Sequence, residues 1–153
     1  GENGGKDVDK ANPRLEIKFP KIKDVGYKIT SNESKKYNCI SWTIGRDDIW
    51  IWPDPRFFWP VNIKRDEGLA SFIDFYQLFG YSISENEELE TDYEKIAIYI
   101  NPDTERIIHA AKQIESGKWT SKLGPYKDIE HTLDSLTGQD YGIVAIIMKR
   151  KIR

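Results

Sequence analysis

The sequence of 153 residues contains one cysteine, Cys39, and two histidines, His109 and His131. A single cysteine cannot form an internal disulfide, which excludes a small scaffold held together by disulfide bonds. One cysteine and two distant histidines also argue against a closed zinc site with four ligands. We therefore expect neither a metal nor another cofactor.

The chain also has little net charge and no long apolar stretch. Its formal net charge is −2 at pH 7, so nothing predicts a general affinity for nucleic acid. No apolar run approaches the roughly 20 residues that a bilayer-spanning helix needs, so we expect no membrane partner. A cytoplasmic protein is expected, and secretion stays open because the native N-terminus is not visible.

Phosphate-binding glycine motifs are absent from the sequence, as is the GxSxG turn of serine hydrolases. Hydrophobic residues make up 39% of the chain and charged residues 31%, which fits a globular domain. Residues 1–12 are charged and rich in glycine, and we predict a flexible leader there. Residues 13–153 are predicted to form a single domain.

Hydrophobic spacing predicts a mixture of helices and strands. Apolar residues recur at helical spacing over residues 69–81, and a glycine near the end marks a stop. A short helix is also predicted over residues 128–136. Alternation over residues 15–22 predicts a short edge strand that ends at Pro20, and further strands are predicted near residues 25–31, 95–100, 106–114, 118–124 and 141–148. This order predicts an α+β fold with an antiparallel sheet.

The stretch YNCISWTIG, residues 37–45, places Cys39 in the first turn of a predicted helix, for which Ser34 and Asn38 are both candidate capping residues. A helix start favours a negative charge, so the pKa of the Cys39 thiol is expected to be low, as a nucleophile requires. The alternative is a packed thiol in the core, because free cysteines are among the most buried residues.

His109 lies in an apolar strand, IIHAAKQI, where alternation places it on one face with Ala111 and Gln113. The two small alanines after it leave room for another element to approach. A helix carrying Cys39 packed across this strand would bring the thiol and the imidazole together, which is the layout of papain-like thiol enzymes. The alternative is a structural histidine whose hydrogen bonds are satisfied.

Further site residues are predicted around this pair. Ser121, in the next predicted strand, is the expected orienting partner of His109, and His131 is either a third polar member or a surface residue. The expected oxyanion hole consists of the backbone N–H of Cys39 and the side-chain amide of Asn38 or Asn32. The predicted substrate-binding set is Asn38, Trp42, Gln113, Trp119, Lys122 and His131.

Residues 49–60 read IWIWPDPRFFWP and hold three of the five tryptophans. Such a loop can line a cleft, because prolines fix its backbone and indoles offer apolar surface. The alternative is a small additional core that covers one side of the sheet. Asp54 and Arg56 are expected to form a salt bridge within the loop or to present charge to a ligand.

Together, the segments YNCISWTIG, SFIDFYQLFGY and HAAKQIESGKWTSKLG resemble a family of small bacterial proteins of unknown function. Segments of YNCIAW, HAARQ and SKLG type mark that family, and the resemblance covers about residues 19–150. More distantly, Cys39 followed by His109 is similar to papain-like cysteine peptidases and bacterial cell-wall amidases. The resemblance implies that Cys39 is the nucleophile, that His109 is the base, and that Ser121, Lys122 and His131 belong to the site.

The sequence therefore predicts a papain-like α+β domain, with the cysteine helix packed on an antiparallel sheet. Its predicted function is a thiol hydrolase that cleaves a peptide or amide bond in a peptide or protein substrate. The same Cys39–His109 pair would serve a deamidase or an acyltransferase, because the first half-reaction is shared. The alternative from another class is a non-catalytic binding module that uses the tryptophan-rich loop.

Overall fold

The computed structural model of the protein describes residues 12–152. Within them, seven strands form one antiparallel sheet. In chain order the strands are Lys28–Ser31 (β1), Ser82–Ser84 (β2), Tyr93–Ile100 (β3), Ile107–Gln113 (β4), Trp119–Lys122 (β5), Asp128–His131 (β6) and Ile143–Lys151 (β7). Across the sheet their order is β1-β6-β5-β4-β3-β7-β2.

Short helices cover both faces of this sheet. They are Pro13–Lys18 (α1), Lys21–Val25 (α2), Cys39–Thr43 (α3) and Leu69–Gln77 (α4), with a 3₁₀ turn at Asp134–Leu136. An α+β fold is therefore confirmed. The helix predicted over residues 69–81 is present as α4, and the strands predicted over residues 95–114 form the hairpin of β3 and β4.

The edge strand predicted over residues 15–22 is wrong, because this segment forms α1 and α2. Asn12 caps α1 by accepting a hydrogen bond from the backbone N–H of Leu15, and Pro13 occupies the first helical position. Leu15, Phe19 and Ile22 are buried at spacings of four and three residues. Apart from Asn12, the leader predicted over residues 1–12 lies outside the described residues.

The helix predicted over residues 128–136 is also wrong. This segment begins as β6, which pairs with β5 on one side and β1 on the other. Ile129, Leu133 and Leu136 are all buried in one core cluster, as their spacing suggested. Ladder hydrogen bonds to two neighbouring strands hold the first half extended, and helical backbone is confined to the 3₁₀ turn.

Each face of the sheet carries its own hydrophobic core. Along β3, Ile96 and Ile98 belong to the core under α3 and α4, whereas Ala97 and Tyr99 belong to the core under α1 and α2. Trp59 of the aromatic loop stacks on Phe75 of α4, with ring centroids 5.0 Å apart. This part of the loop therefore belongs to the core, as one of the two interpretations of its sequence predicted.

Gly142 lies at the start of β7 with a φ of +67°, and a Cβ there would come within 1.9 Å of the carbonyl oxygen of Ile100. We expect Gly142→Ala to lower the free energy of unfolding by about 3 kcal/mol or more, because strain and a backbone collision add. Gly80→Ala is the control, since φ is +88° but a Cβ would meet nothing within 4 Å in residues 12–152. It should cost about 1–2 kcal/mol. Urea unfolding measures both, and equal losses would contradict the expectation.

Candidate functional site

Asn38 fixes the start of α3 and with it the position of Cys39. Its Oδ1 accepts a hydrogen bond from the N–H of Ser41 (3.3 Å), while the Ser41 hydroxyl accepts one from the N–H of Asn38 (2.9 Å). The Asn38 amide also pairs with the backbone of Ile51, donating to its carbonyl (2.7 Å) and accepting from its N–H (3.1 Å). Asn38 therefore holds α3 against the aromatic loop, and its expected role in an oxyanion hole stays a prediction.

We expect Asn38→Ala to lower the free energy of unfolding by about 2–4 kcal/mol, because it removes a helix cap and leaves buried groups of Ile51 unpaired. Asn12→Ala is the matched control, since Asn12 caps α1 through one bond to Leu15. That change should cost about 1 kcal/mol. Urea unfolding of the two variants tests this, and a smaller loss for Asn38→Ala than for Asn12→Ala would contradict it.

A cavity of about 360 Å³ opens beside Cys39, and aromatic side chains make up much of its lining. The aromatic loop contributes Trp50, Trp52, Arg56 and Phe57, and the sheet and its turns contribute Ile108, His109, Gly124 and Tyr141. The first turn of α3 contributes Asn38 and Cys39. The loop therefore fits both interpretations of its sequence, with Trp59 in the core and Trp50 and Trp52 at the cavity.

Cys39 and His109 come from opposite sides of the sheet. Cys39 packs with Ala110 in the core under α3 and α4. Alternation along β4 turns His109 to the other side, with Ala111 and with its cross-strand partner Tyr99.

The ladder between β4 and β5 is short and ends before it reaches His109. Ladder pairs between these strands join Lys112 with Thr120 and Gln113 with Trp119, and the ladder ends there. The cavity lies beyond this point and has Gly124 at its edge. A thiol from one face and an imidazole from the other therefore line the same cavity.

The Cys39 side chain is buried, with 5% of the residue exposed. Burial raises the pKa of its thiol to about 11. The backbone N–H groups of Ala110 and Ile40 and the charge of Lys122 act in the opposite direction. The expectation of a low pKa for the Cys39 thiol is therefore wrong, because desolvation outweighs the backbone N–H groups and the charge of Lys122. The thiol is neutral at pH 7.

His109 is 1% exposed, and its ring stacks on Tyr141 with centroids 4.1 Å apart. Neither ring nitrogen has a hydrogen-bond partner within residues 12–152. Burial, with a smaller contribution from nearby His131, lowers the pKa of His109 well below its ordinary value. The imidazole is therefore neutral and keeps a free lone pair, as a proton acceptor requires.

Ser121 pairs with His131, not with His109 as expected. The Ser121 hydroxyl lies 2.6 Å from Nε2 of His131, and Nδ1 of that ring lies 2.7 Å from the carbonyl oxygen of Thr132. A carbonyl only accepts, so Nδ1 carries the proton and Nε2 accepts from Ser121. Burial lowers the pKa of His131 to about 4. Both side chains are buried and lie outside the cavity.

The rest of the predicted substrate-binding set also lies outside the cavity. Trp42 donates from Nε1 to the Thr120 hydroxyl (3.2 Å), and Gln113 donates from Nε2 to the carbonyl of Glu87 (2.9 Å). Trp119 is buried in the core under α1 and α2. Sequence reasoning missed Tyr141, which carried no signal beyond being an aromatic residue before the last strand.

Among residues 12–152, no group of three or more His, Cys, Asp or Glu side chains is arranged to hold a metal ion. In the same range, no helix is long and apolar enough to cross a bilayer.

These features define an α+β protein in which one aromatic cavity is lined by a buried thiol and by a buried imidazole that has no hydrogen-bond partner among residues 12–152. The chain belongs to the family described as Domain of unknown function (DUF7689), whose model matches residues 28–149. The match runs from β1 into β7 and includes every cavity residue, while α1 and α2 precede it. No curated protein and no protein of solved structure shows significant similarity to the chain.

Proposed function

We propose that this protein is a papain-like thiol hydrolase that acts on a peptide or amide bond. Cys39 is the nucleophile and His109 is the general base. The observation that carries the proposal is that both side chains line the same aromatic cavity of about 360 Å³. The order of the pair in the chain, with the cysteine on a helix and the histidine on an antiparallel strand, supports the papain-like assignment.

The unpaired nitrogens of His109 support its role as a base. Buried polar atoms are almost always hydrogen-bonded, and leaving one unpaired costs about 1–3 kcal/mol. Here two nitrogens of one ring are unpaired within the described residues, and the ring lines a cavity. A substrate or water in that cavity would supply the missing partner.

The reaction starts from a neutral pair, because burial raises the pKa of Cys39 and lowers that of His109. The thiol proton passes to His109 while the sulfur attacks the substrate carbonyl carbon. The tetrahedral intermediate expels the amine, which takes the proton from His109 and leaves a thioester on Cys39. Water then attacks the thioester, giving one proton to His109, which returns it to the departing sulfur.

The leaving group and the acceptor of the acyl group decide between hydrolysis, deamidation and acyl transfer. A side-chain amide as substrate releases ammonia, which makes the reaction a deamidation. An amine in place of water makes it an acyl transfer. All three share the thioester on Cys39, so its detection tests the whole class.

A non-catalytic binding module is the second candidate, and one observation favours it. Cys39 is 5% exposed with a thiol pKa raised to about 11, which is the state of an inert core cysteine. In that case the aromatic residues of the cavity, Trp50, Trp52, Phe57 and Tyr141, hold a ligand that is not transformed.

A search for a Cys39 thioester separates the two candidates. The protein is incubated with a peptide-amide library and with p-nitrophenyl acetate, and intact mass spectrometry reports any acyl group that hydroxylamine removes. We expect acylation and multiple turnovers for the wild type and neither for Cys39→Ala. Peptides that bind without cleavage, together with a Cys39 that reacts only after unfolding, would overturn the hydrolase and support the binding module.

A further inference from the structure

Lys122 is a fully buried lysine on the same face of the sheet as Cys39. Its Nζ donates hydrogen bonds to the carbonyl oxygen of Ser34 (2.6 Å) and to that of Gly124. The ammonium group also lies 4.7 Å from the centroid of the Tyr37 ring, a cation–π distance. Two carbonyls and one ring face match the three N–H groups of a lysine, so Lys122 is not free to bind a substrate.

These contacts join the two segments that flank the thiol. Ser34 lies in the loop that leads into α3, and Gly124 lies in the turn at the edge of the cavity. Lys122 therefore holds the approach to Cys39 against the end of β5. Its positive charge acts against the effect of burial and favours a lower pKa of the Cys39 thiol.

Asp128 of β6 is the cross-strand partner of Lys122. Its Oδ2 accepts hydrogen bonds from the hydroxyls of Tyr37 (2.7 Å) and Ser31, and its Oδ1 is buried without a partner within residues 12–152. Burial raises the pKa of Asp128 and lowers that of Lys122. Burying such charges costs several kcal/mol per ion, and an apolar pair of similar volume is often as stable. Stability alone therefore does not account for this pair.

We propose that Lys122 is a positioning residue, whose buried charge stabilises the Cys39 thiolate and whose hydrogen bonds fix the loop before α3. The importance of this role for turnover rests on the proposed hydrolase function, whereas its effect on the thiol does not. Other titratable groups face Lys122 or Cys39 from the surrounding elements. They are Glu33 and Tyr37 from the loop before α3, Tyr76 from α4, Asp128 from β6 and Tyr141 before β7.

Alkylation of Cys39 by iodoacetamide tests the proposal without any substrate. Between pH 7 and 9 the second-order rate constant is proportional to the thiolate fraction. We expect Lys122→Met to lower it about tenfold, which corresponds to one pKa unit. Lys122→Arg, which keeps the charge, should restore most of the rate.

Lys95→Met is the matched control. Lys95 is equally buried and is held by Asn86 (2.9 Å) and Glu90 (2.6 Å), but it lies on β3 on the other face of the sheet. Its replacement removes the same charge at a distance from Cys39, so the alkylation rate should stay within about twofold of the wild type. Circular dichroism and thermal unfolding check that each variant is folded.

Asp128→Asn is expected to change the alkylation rate in the opposite direction. It therefore keeps the proposal testable if Lys122→Met does not fold. It removes the negative charge beside Lys122 while keeping the size of the side chain, so the alkylation rate should rise about threefold. An unchanged or lower rate in Asp128→Asn would overturn the proposal. So would an equal loss in Lys95→Met and Lys122→Met. A wild type that is alkylated as expected but never forms a thioester would overturn only the hydrolase function.

Discussion

His109→Gln is expected to lower the rate of acylation of Cys39 by about 10²–10⁴-fold, the usual contribution of a general base. Glutamine fills a similar volume but cannot accept the thiol proton at neutral pH. In the proposed mechanism, the neutral thiol, with its pKa raised to about 11, makes acylation especially dependent on a base. Release of p-nitrophenolate from p-nitrophenyl acetate at pH 7.5, followed by stopped flow, measures the rate.

His131→Gln is the control for this prediction. His131 is as buried as His109, but both of its ring nitrogens are hydrogen-bonded and it lies outside the cavity. Its replacement should leave the acylation rate within about threefold of the wild type, because it removes no proton acceptor from the cavity. A larger loss in His131→Gln than in His109→Gln would show that the base is wrongly assigned.

Local signals predicted α3 correctly, with Asn38 as one of two candidate caps. Asn38 before Cys39 is a capping pattern that depends on a few neighbouring residues, and the structure has the same cap. The helical spacing before Gly80 and the alternation in β3 and β4 are of the same kind. Patterns that are complete within one segment could therefore be predicted from sequence.

The partner of Ser121 could not be predicted in this way, because it depends on the error at residues 128–136. A helix there would take His131 away from the sheet. As strand β6, the segment pairs Trp119 with His131 and Ser121 with Ile129, which places His131 and Ser121 on one face. The register of β6 is set by its pairing with both β5 and β1, and no single segment encodes it.

The electrostatics of the site were also beyond local reasoning. A helix start favours a thiolate, but the five residues of α3 lie under the aromatic loop and against the sheet, and burial outweighs that effect. The ladder between β4 and β5 ends short of His109, and this end likewise depends on the register of two strands and not on a local pattern.

Lowering the pH from about 7 to 4.5 is expected to reduce the free energy of unfolding by about 2 kcal/mol through His131 alone. The folded pKa of His131 is about 4, below the unfolded value near 6.5. Between these values the unfolded state binds the extra proton, so stability is complete above pH 6.5 and is lost as the pH falls towards 4. His109, with a pKa also lowered by burial, adds a loss of the same sign.

Urea unfolding of the wild type and His131→Gln at pH 7, 6, 5 and 4.5 measures this loss. Surface carboxylates with lowered pKa values, such as Asp48 and the half-buried Asp54, lose their contribution mainly below pH 4, so they interfere little. Asp128, whose pKa burial raises, acts in the opposite direction in both proteins. Glutamine keeps polar contacts to Ser121 and Thr132 but does not titrate, so His131→Gln should lose about 2 kcal/mol less than the wild type over this range. Parallel curves for the two proteins would mean that His131 takes up its proton as readily in the folded state as in the unfolded state, so that its hydrogen bonds do not hold the ring neutral.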